Sequence, residues 1–387
     1  MLQLYYDKLN YINIFKFFLY TWVLSIPFKN SVYQISTALI VLFFIFHVLK
    51  KKNIYILIEN WKETILLSIG FFAVIFSMIL SNILNPEMLD KKSWHNIYMF
   101  FIRYGLIFIA LAYFYKQNFF TKKELIILLF ISLSFLMLTG VYQTIQNTNL
   151  IYSAGITGTL DNRNAFGLFM GMGFVLSLIL IKEKANLGFL LLLLFCFFMI
   201  FSFSRSSWVA SFCSASLLLI LNYKNIKKAH IIYFLVFCIS LVILFITFDS
   251  FQNRFTQLLE GNSSYRTIIW TKTITFIKEN LFFGYGIDSW KNLPDKLLNR
   301  FPDPHNLFLE ILIYTGLIGL VSCLFSILVI LIKIIKTKQL ILLPIATYFL
   351  IVTQFDFGAY GSKELLSFLT IFVFIVYSNN FNSKISI

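Results

Sequence analysis

Apolar residues come in runs along this chain, and the runs set its architecture. Stretches dominated by Leu, Ile and Phe fall at about 11–27, 31–49, 64–84, 97–115, 124–145, 165–181, 187–203, 206–222, 231–248, 305–332, 340–355 and 363–379. Each approaches the roughly 20 apolar residues that a helix needs to cross the hydrocarbon layer. None alternates with the two-residue period of a membrane barrel strand. Inside lipid a backbone must satisfy its own polar groups, which leaves the helix. The pattern predicts an all-α integral membrane protein of about 12 transmembrane helices. It places helices 1–9 in residues 1–248, a large loop at 249–304 and helices 10–12 in residues 305–387.

Alternate connections are rich in lysine: Lys50-Lys51-Lys52, Lys116 with Lys122-Lys123, Lys182 with Lys184, Lys224 with Lys227-Lys228, and Lys333 with Lys336 and Lys338. Positive charge concentrates on the cytoplasmic side of membrane proteins. Both termini are then cytoplasmic, and the long loop between helices 9 and 10 faces outward. The first apolar run follows a basic start but lacks a small-x-small cleavage pattern, so it reads as a retained span.

Composition agrees with a membrane location: 59% of residues are hydrophobic and 13% charged, which excludes a soluble globule. A net charge of +15 would suit a nucleic-acid binder. Lysines fixing topology account for it instead, and no nucleic-acid partner is expected. Cys196, Cys213, Cys238 and Cys323 all lie in predicted spans without a C-x-x-C pair, so neither a disulfide framework nor a zinc site is indicated. No D-x-D pair occurs, and no metal or cofactor is expected.

Arginine behaves differently from lysine. Arg103, Arg163, Arg205, Arg254, Arg266 and Arg300 all fall on or near the outer side, where topology gives no reason for them. Guanidinium grips phosphate oxygens through paired hydrogen bonds, so the distribution points to a phosphorylated ligand at the outer face. Arg163 stands in the turn Gly155–Asn164, where Asn162 or Asn164 can cap the next helix. Arg205 stands in the short turn Phe201–Trp208, close to hydrocarbon, where it either binds phosphate or snorkels. Within the loop, a helix from about Gly261 to Asn280, capped by Ser264, places Arg266 and Trp270 on one face near Ile269, Thr273 and Ile277. Such a helix suits the bilayer surface. Gly284-Tyr-Gly286 breaks it, and Asp288–Phe301 is a second short interfacial helix candidate.

The loop ends in Asp303-Pro304-His305-Asn306. Asp303 fits a helix cap and Pro304 the first helical position, which puts His305 in the first turn of helix 10. A helix N-terminus disfavours imidazolium, leaving a neutral ring suited to a general base. Glu310, about a turn and a half further, either orients that base or pairs with an arginine. His95 is a lesser outer candidate, and His47 and His230 lie on the cytoplasmic side.

Taken together, Ser204-Arg-Ser-Ser-Trp208, Tyr265-Arg-Thr-Ile-Ile-Trp270, Phe283-Gly-Tyr-Gly286, and Pro304-His-Asn-Leu-Phe-Leu-Glu310 followed by Thr315-Gly-Leu-Ile-Gly319 resemble the O-antigen ligase family. The resemblance is strongest from about Gly155 to Leu320. It implies glycosyl transfer at the periplasmic face of the bacterial inner membrane, from an undecaprenyl-pyrophosphate-linked glycan to the lipid A core of lipopolysaccharide. Carried over by position, the family's loop histidine falls on His305 and its two essential arginines on Arg205 and Arg266. Arg163 or Arg300 would assist, with Trp270, Asn306, Glu310 and Asn164 in support and membrane lipids as surroundings. The turn Asp161–Asn164 departs from many relatives, which leaves Arg163 less tied to the pattern. An O-antigen polymerase would use the same donor. A protein O-oligosaccharyltransferase would be expected to run longer, since only about eight residues follow the last predicted span. A transporter of two six-span halves is disfavoured by the short central connection Lys182–Asn186 and the lack of an internal repeat.

Overall fold

The computed structural model describes residues 2–28, 30–51, 54–150, 155–181, 184–221, 239, 242–243, 246–260, 265–355 and 362–381. Among them there is no strand. The helices are α1 (Leu2–Ser25), α2 (Asn30–Lys51), α3 (Ile54–Leu84), α4 (Ser93–Phe100), α5 (Ile107–Lys116) and α6 (Lys122–Gln146). They continue with α7 (Arg163–Leu180), α8 (Ala185–Phe201), α9 (Arg205–Leu221), α10 (Asp249–Leu259), α11 (Arg266–Glu279), α12 (Leu307–Lys336), α13 (Leu343–Val352) and α14 (Lys363–Phe381). A π-helical stretch, Phe101–Leu106, joins α4 to α5. Six of these helical stretches are long and apolar enough to cross a membrane, and three further apolar helices are shorter. The protein is an all-α, multi-pass membrane protein. Two thirds of the predicted span 231–248 falls outside the described residues, as do His230, Cys238, the proposed cap Ser264 and Lys52, Lys182, Lys224, Lys227 and Lys228.

The chain forms two compact units. The first comprises Met1–Ser132, Ile268–Thr337 and Gly358–Ile387. Aromatic rings fill part of it, with Phe15 and Phe114 only 4.0 Å apart between centroids. His47 belongs to this packing: it is buried, and its Nδ1 lies 3.0 Å from the Tyr113 hydroxyl. Thr121 and Glu124 start α6 with a reciprocal capping box, the Thr121 N–H donating to Glu124 Oε2 at 2.7 Å and the Glu124 N–H to Thr121 Oγ1 at 3.1 Å.

Elsewhere in this unit α12 is interrupted. Gly316 has φ 64 and ψ −163, so the i to i−4 ladder cannot continue through it. The segment after α11 supplies the missing partners. Leu317 N–H donates to the Leu281 carbonyl at 2.8 Å, while Tyr285 and Gly286 N–H donate to the Ile313 and Tyr314 carbonyls at 2.8 and 3.0 Å. Ser81 Oγ on α3 donates to Tyr314 O at 2.7 Å, and Asn82 Oδ1 accepts from Ile287 N–H at 2.7 Å. A broken helix in a membrane protein persists only where protein re-satisfies its backbone, and here it does.

The second unit comprises Leu133–Thr267 and Lys338–Phe357. In it α7 packs on α8 and α9, and α13 on α9 and α7. A Cβ on Gly167 would lie 2.4 Å from Ser202 Oγ and 2.5 Å from Ser204 Cβ, so only glycine lets the α8–α9 turn close on α7. One turn on, a Cβ at Gly171 would meet Ser211 Oγ at 2.8 Å and Tyr348 Oη at 2.3 Å. These contacts set α7 and α9 parallel, with their N-termini at the same end. Tyr348 Oη donates to Leu168 O at 2.6 Å and ties α13 to the pair.

Candidate active site

The residues singled out from the sequence divide between the two units: His305, Arg300, Trp270, Asn306 and Glu310 in the first, Arg163, Asn164, Arg205 and Arg266 in the second.

In the first unit α12 starts later than its sequence implies. Its cap is Asn306, whose side-chain oxygen accepts from Phe308 and Leu309 N–H, each at 3.0 Å. Asp303 is therefore not the cap, and His305 stands before the helix rather than in its first turn. The reason is local: His305 adopts φ 51, a left-handed conformation that a helical turn cannot include. Asp303 instead holds the histidine twice. Its Oδ1 accepts from the His305 backbone N–H at 2.6 Å and lies 2.9 Å from ring Nδ1. A carboxylate at Nδ1 keeps the proton on that nitrogen and leaves Nε2 with the lone pair. Asp303, expected as the helix cap, is instead the residue that meets His305. Glu310 is buried in the first turns of α12.

The approach to His305 is fastened by two indole N–H groups. Trp270 Nε1 donates to the Pro304 carbonyl at 3.0 Å and Trp290 Nε1 to that of Phe301 at 2.9 Å. Lys272 Nζ lies 2.6 Å from Asp295, whose carboxyl it holds below the usual range. Burial pushes the Asp288 carboxyl up, an effect that a 2.6 Å bond from Asn96 partly opposes.

Two expectations for this loop need correction. The face Ile269, Thr273 and Ile277 does not lie on the bilayer surface; it is buried against Val74, Met78, Ile97, Trp290 and Ile313. Nor does Asp288–Phe301 form a helix. It makes two short 3₁₀ turns, Ser289–Asn292 and Leu298–Arg300, with Trp290, Leu293 and Leu298 buried in the same core. Arg300 ends the second turn and is exposed. His95 is exposed as well, with Tyr98 Oη hydrogen-bonded to its Nδ1.

In the second unit three of the four arginines are the first residue of a helix: Arg163 of α7, Arg205 of α9, and Arg266 of α11. Asn162 caps α7, its Oδ1 accepting from Asn164 N–H at 2.8 Å and Ala165 N–H at 3.2 Å, one of the two caps the sequence offered. Ser204 precedes α9 and its carbonyl takes the first helical bond, from Trp208 N–H at 3.2 Å. Phe203, at φ 55, turns the chain, and Trp208 Nε1 donates back to Met199 O at 3.2 Å. A cation at a helix N-terminus opposes the macrodipole, and an anion placed there would favour both. Arg254 lies within α10. Among the described residues no group of three or more His, Cys, Asp or Glu is placed to hold a metal ion.

Comparison with known proteins bears on the same region. The model of the family described as O-antigen ligase matches residues 189–324, which take in Arg205, Arg266, Trp270, Arg300, His305, Asn306 and Glu310 but not Arg163 or Asn164. The ComP-specific O-oligosaccharyltransferase of Acinetobacter baylyi (strain ATCC 33305 / BD413 / ADP1) is 25% identical over 284 residues, covering 60% of this chain and 51% of that protein. The chain thus spans about half the length of this curated relative.

Proposed function

This chain belongs to the O-antigen ligase superfamily, and from that premise we propose that it transfers a glycan from a polyprenyl-pyrophosphate donor to an acceptor hydroxyl at the periplasmic face of the inner membrane. The observation that carries the reading is the Asp303–His305 pair inside the matched region, with Nδ1 engaged and Nε2 left as the basic atom.

Arg205 and Arg266 hold the donor pyrophosphate, assisted by Arg163 or Arg300. The acceptor hydroxyl attacks the anomeric carbon from the face opposite the pyrophosphate, with inversion. A new C–O bond forms as the bond to pyrophosphate breaks, the hydroxyl proton passes to His305 Nε2, and negative charge grows on the departing group. Fixed guanidinium groups stabilise that charge, a contact worth about 2.7–4 kcal/mol each in comparable sites. Positioned base catalysis adds roughly 10²–10⁴-fold. The arginines thus take the part a divalent cation plays in many nucleotide-sugar transferases, and transfer in excess chelator should proceed at the untreated rate.

The favoured acceptor is the lipid A core, which makes the enzyme an O-antigen ligase. The Acinetobacter relative is named an O-oligosaccharyltransferase, which favours a protein hydroxyl as the second reading. Gel analysis of a deletion strain complemented with wild type or His305→Ala tests both. Loss of the long lipopolysaccharide ladder in the His305→Ala strain, with lipid-linked glycan accumulating, is the expected result. A normal ladder but a lost glycoprotein band would move the acceptor to protein, and wild-type transfer by His305→Ala would remove the base.

A further inference from the structure

The segment Phe301–His305 carries the candidate base, and its sequence limits how it can be held. Pro302 and Pro304 have no N–H, so no regular hydrogen-bond ladder can run through it. The Phe301 N–H turns back to Leu298 O at 3.0 Å, and that of His305 goes to Asp303 at 2.6 Å. The carbonyls fasten the segment to the surrounding protein: Pro304 O accepts from Trp270 Nε1 and Phe301 O from Trp290 Nε1.

Trp290 is the deeper of these two anchors. It is 1% exposed and belongs to the core that holds Met78, Ile97, Ile269, Leu298 and Ile313. Its turn is itself pinned: Ile287 N–H donates to Asn82 Oδ1 at 2.7 Å, Asn96 Nδ2 to Asp288 Oδ2 at 2.6 Å and Asn292 Nδ2 to Met88 O at 2.9 Å. Phe301 passes the hold on. Its ring stands edge-on to the His305 imidazole, at 80° with 6.3 Å between centroids, a favourable aromatic geometry. Asp303 sets which nitrogen of His305 carries the proton, but it lies in the same segment and cannot fix where that segment stands. A side chain rooted in the core can. We propose that Trp290 is a positioning residue for His305, acting through the carbonyl and ring of Phe301. This role rests on His305 being the base of the transfer proposed above.

Full-length protein added to detergent-solubilised membranes of the deletion strain, which supply lipid-linked glycan and acceptor together, tests this by the rate at which that glycan is consumed. Trp290→Phe keeps an aromatic ring in the core and loses only the indole N–H donor. It should lower the saturated rate about 10–10²-fold, the scale of a slight misplacement of a catalytic group, with the half-saturating donor level unchanged. Phe301→Leu, which keeps the carbonyl and removes the ring, should lower the same rate about two- to tenfold. In a His305→Ala background neither substitution should reduce the residual rate further, whereas a variant that merely unfolds would lose that rate too. Wild-type turnover by Trp290→Phe, a change confined to the half-saturating donor level, or an equal loss in both backgrounds would overturn the role of Trp290. Wild-type turnover by His305→Ala would instead remove the base itself.

Discussion

A histidine works as a base through one nitrogen, and the bond on the other decides which. Here a single carboxylate oxygen takes both the backbone N–H and the ring Nδ1 of His305. The first bond helps hold the left-handed turn; the second fixes the tautomer and can stabilise imidazolium as it forms. Asp303→Asn keeps an acceptor for the turn but removes the charge. Transfer should fall on the order of 10²–10⁴-fold with the melting temperature nearly unchanged. Single-turnover assays beside thermal unfolding would show this, and wild-type turnover in Asp303→Asn would reduce Asp303 to a turn residue. That a helix begins beside His305 was legible in the sequence, because Asp-Pro-His-Asn is a helix-start pattern. Where it begins was not, because Asp303 and Asn306 are both competent caps and only the positive φ of His305 selects between them.

At the scale of elements, the two glycine motifs of the resemblance turn out to bind each other. The stretch Leu281–Gly286 pairs with the break in α12, so the His305-bearing end of that helix is tied to α11 and α3 by backbone hydrogen bonds. A Cβ at Gly316 would lie 2.2 Å from the Phe282 carbonyl oxygen, and φ 64 with ψ −163 is open essentially to glycine. Gly316→Ala should destabilise the protein by about 1–3 kcal/mol from backbone strain, with the clash adding to it. Thermal unfolding in detergent measures the loss; an unchanged melting temperature would show that the break is not needed. Hydropathy could mark Gly284 and Gly286 as helix breakers and Ile269, Thr273 and Ile277 as one face. It could not say what covers that face, because lipid and protein interior reward the same side chains. Pairings such as Tyr285 with Ile313 leave no trace in any local pattern.

For the whole molecule, most helices were legible because an unbroken span satisfies its own backbone in lipid, whatever its neighbours. Orientation is a weaker inference, resting on lysines that act collectively at the cytoplasmic face. It also carries the chemistry, since donor arginines facing the cytosol could not serve a periplasmic acceptor. The lysine pattern puts Lys123 and Lys336 inside and Lys291, in the loop before His305, outside. With the four native cysteines replaced by serine, single cysteines at these positions should separate cleanly in intact spheroplasts. Lys291→Cys should react with a membrane-impermeant maleimide at once, and Lys123→Cys and Lys336→Cys only after permeabilisation. The reverse order would turn the arginines to the cytosol and leave the lipid-linked donor without its clamp.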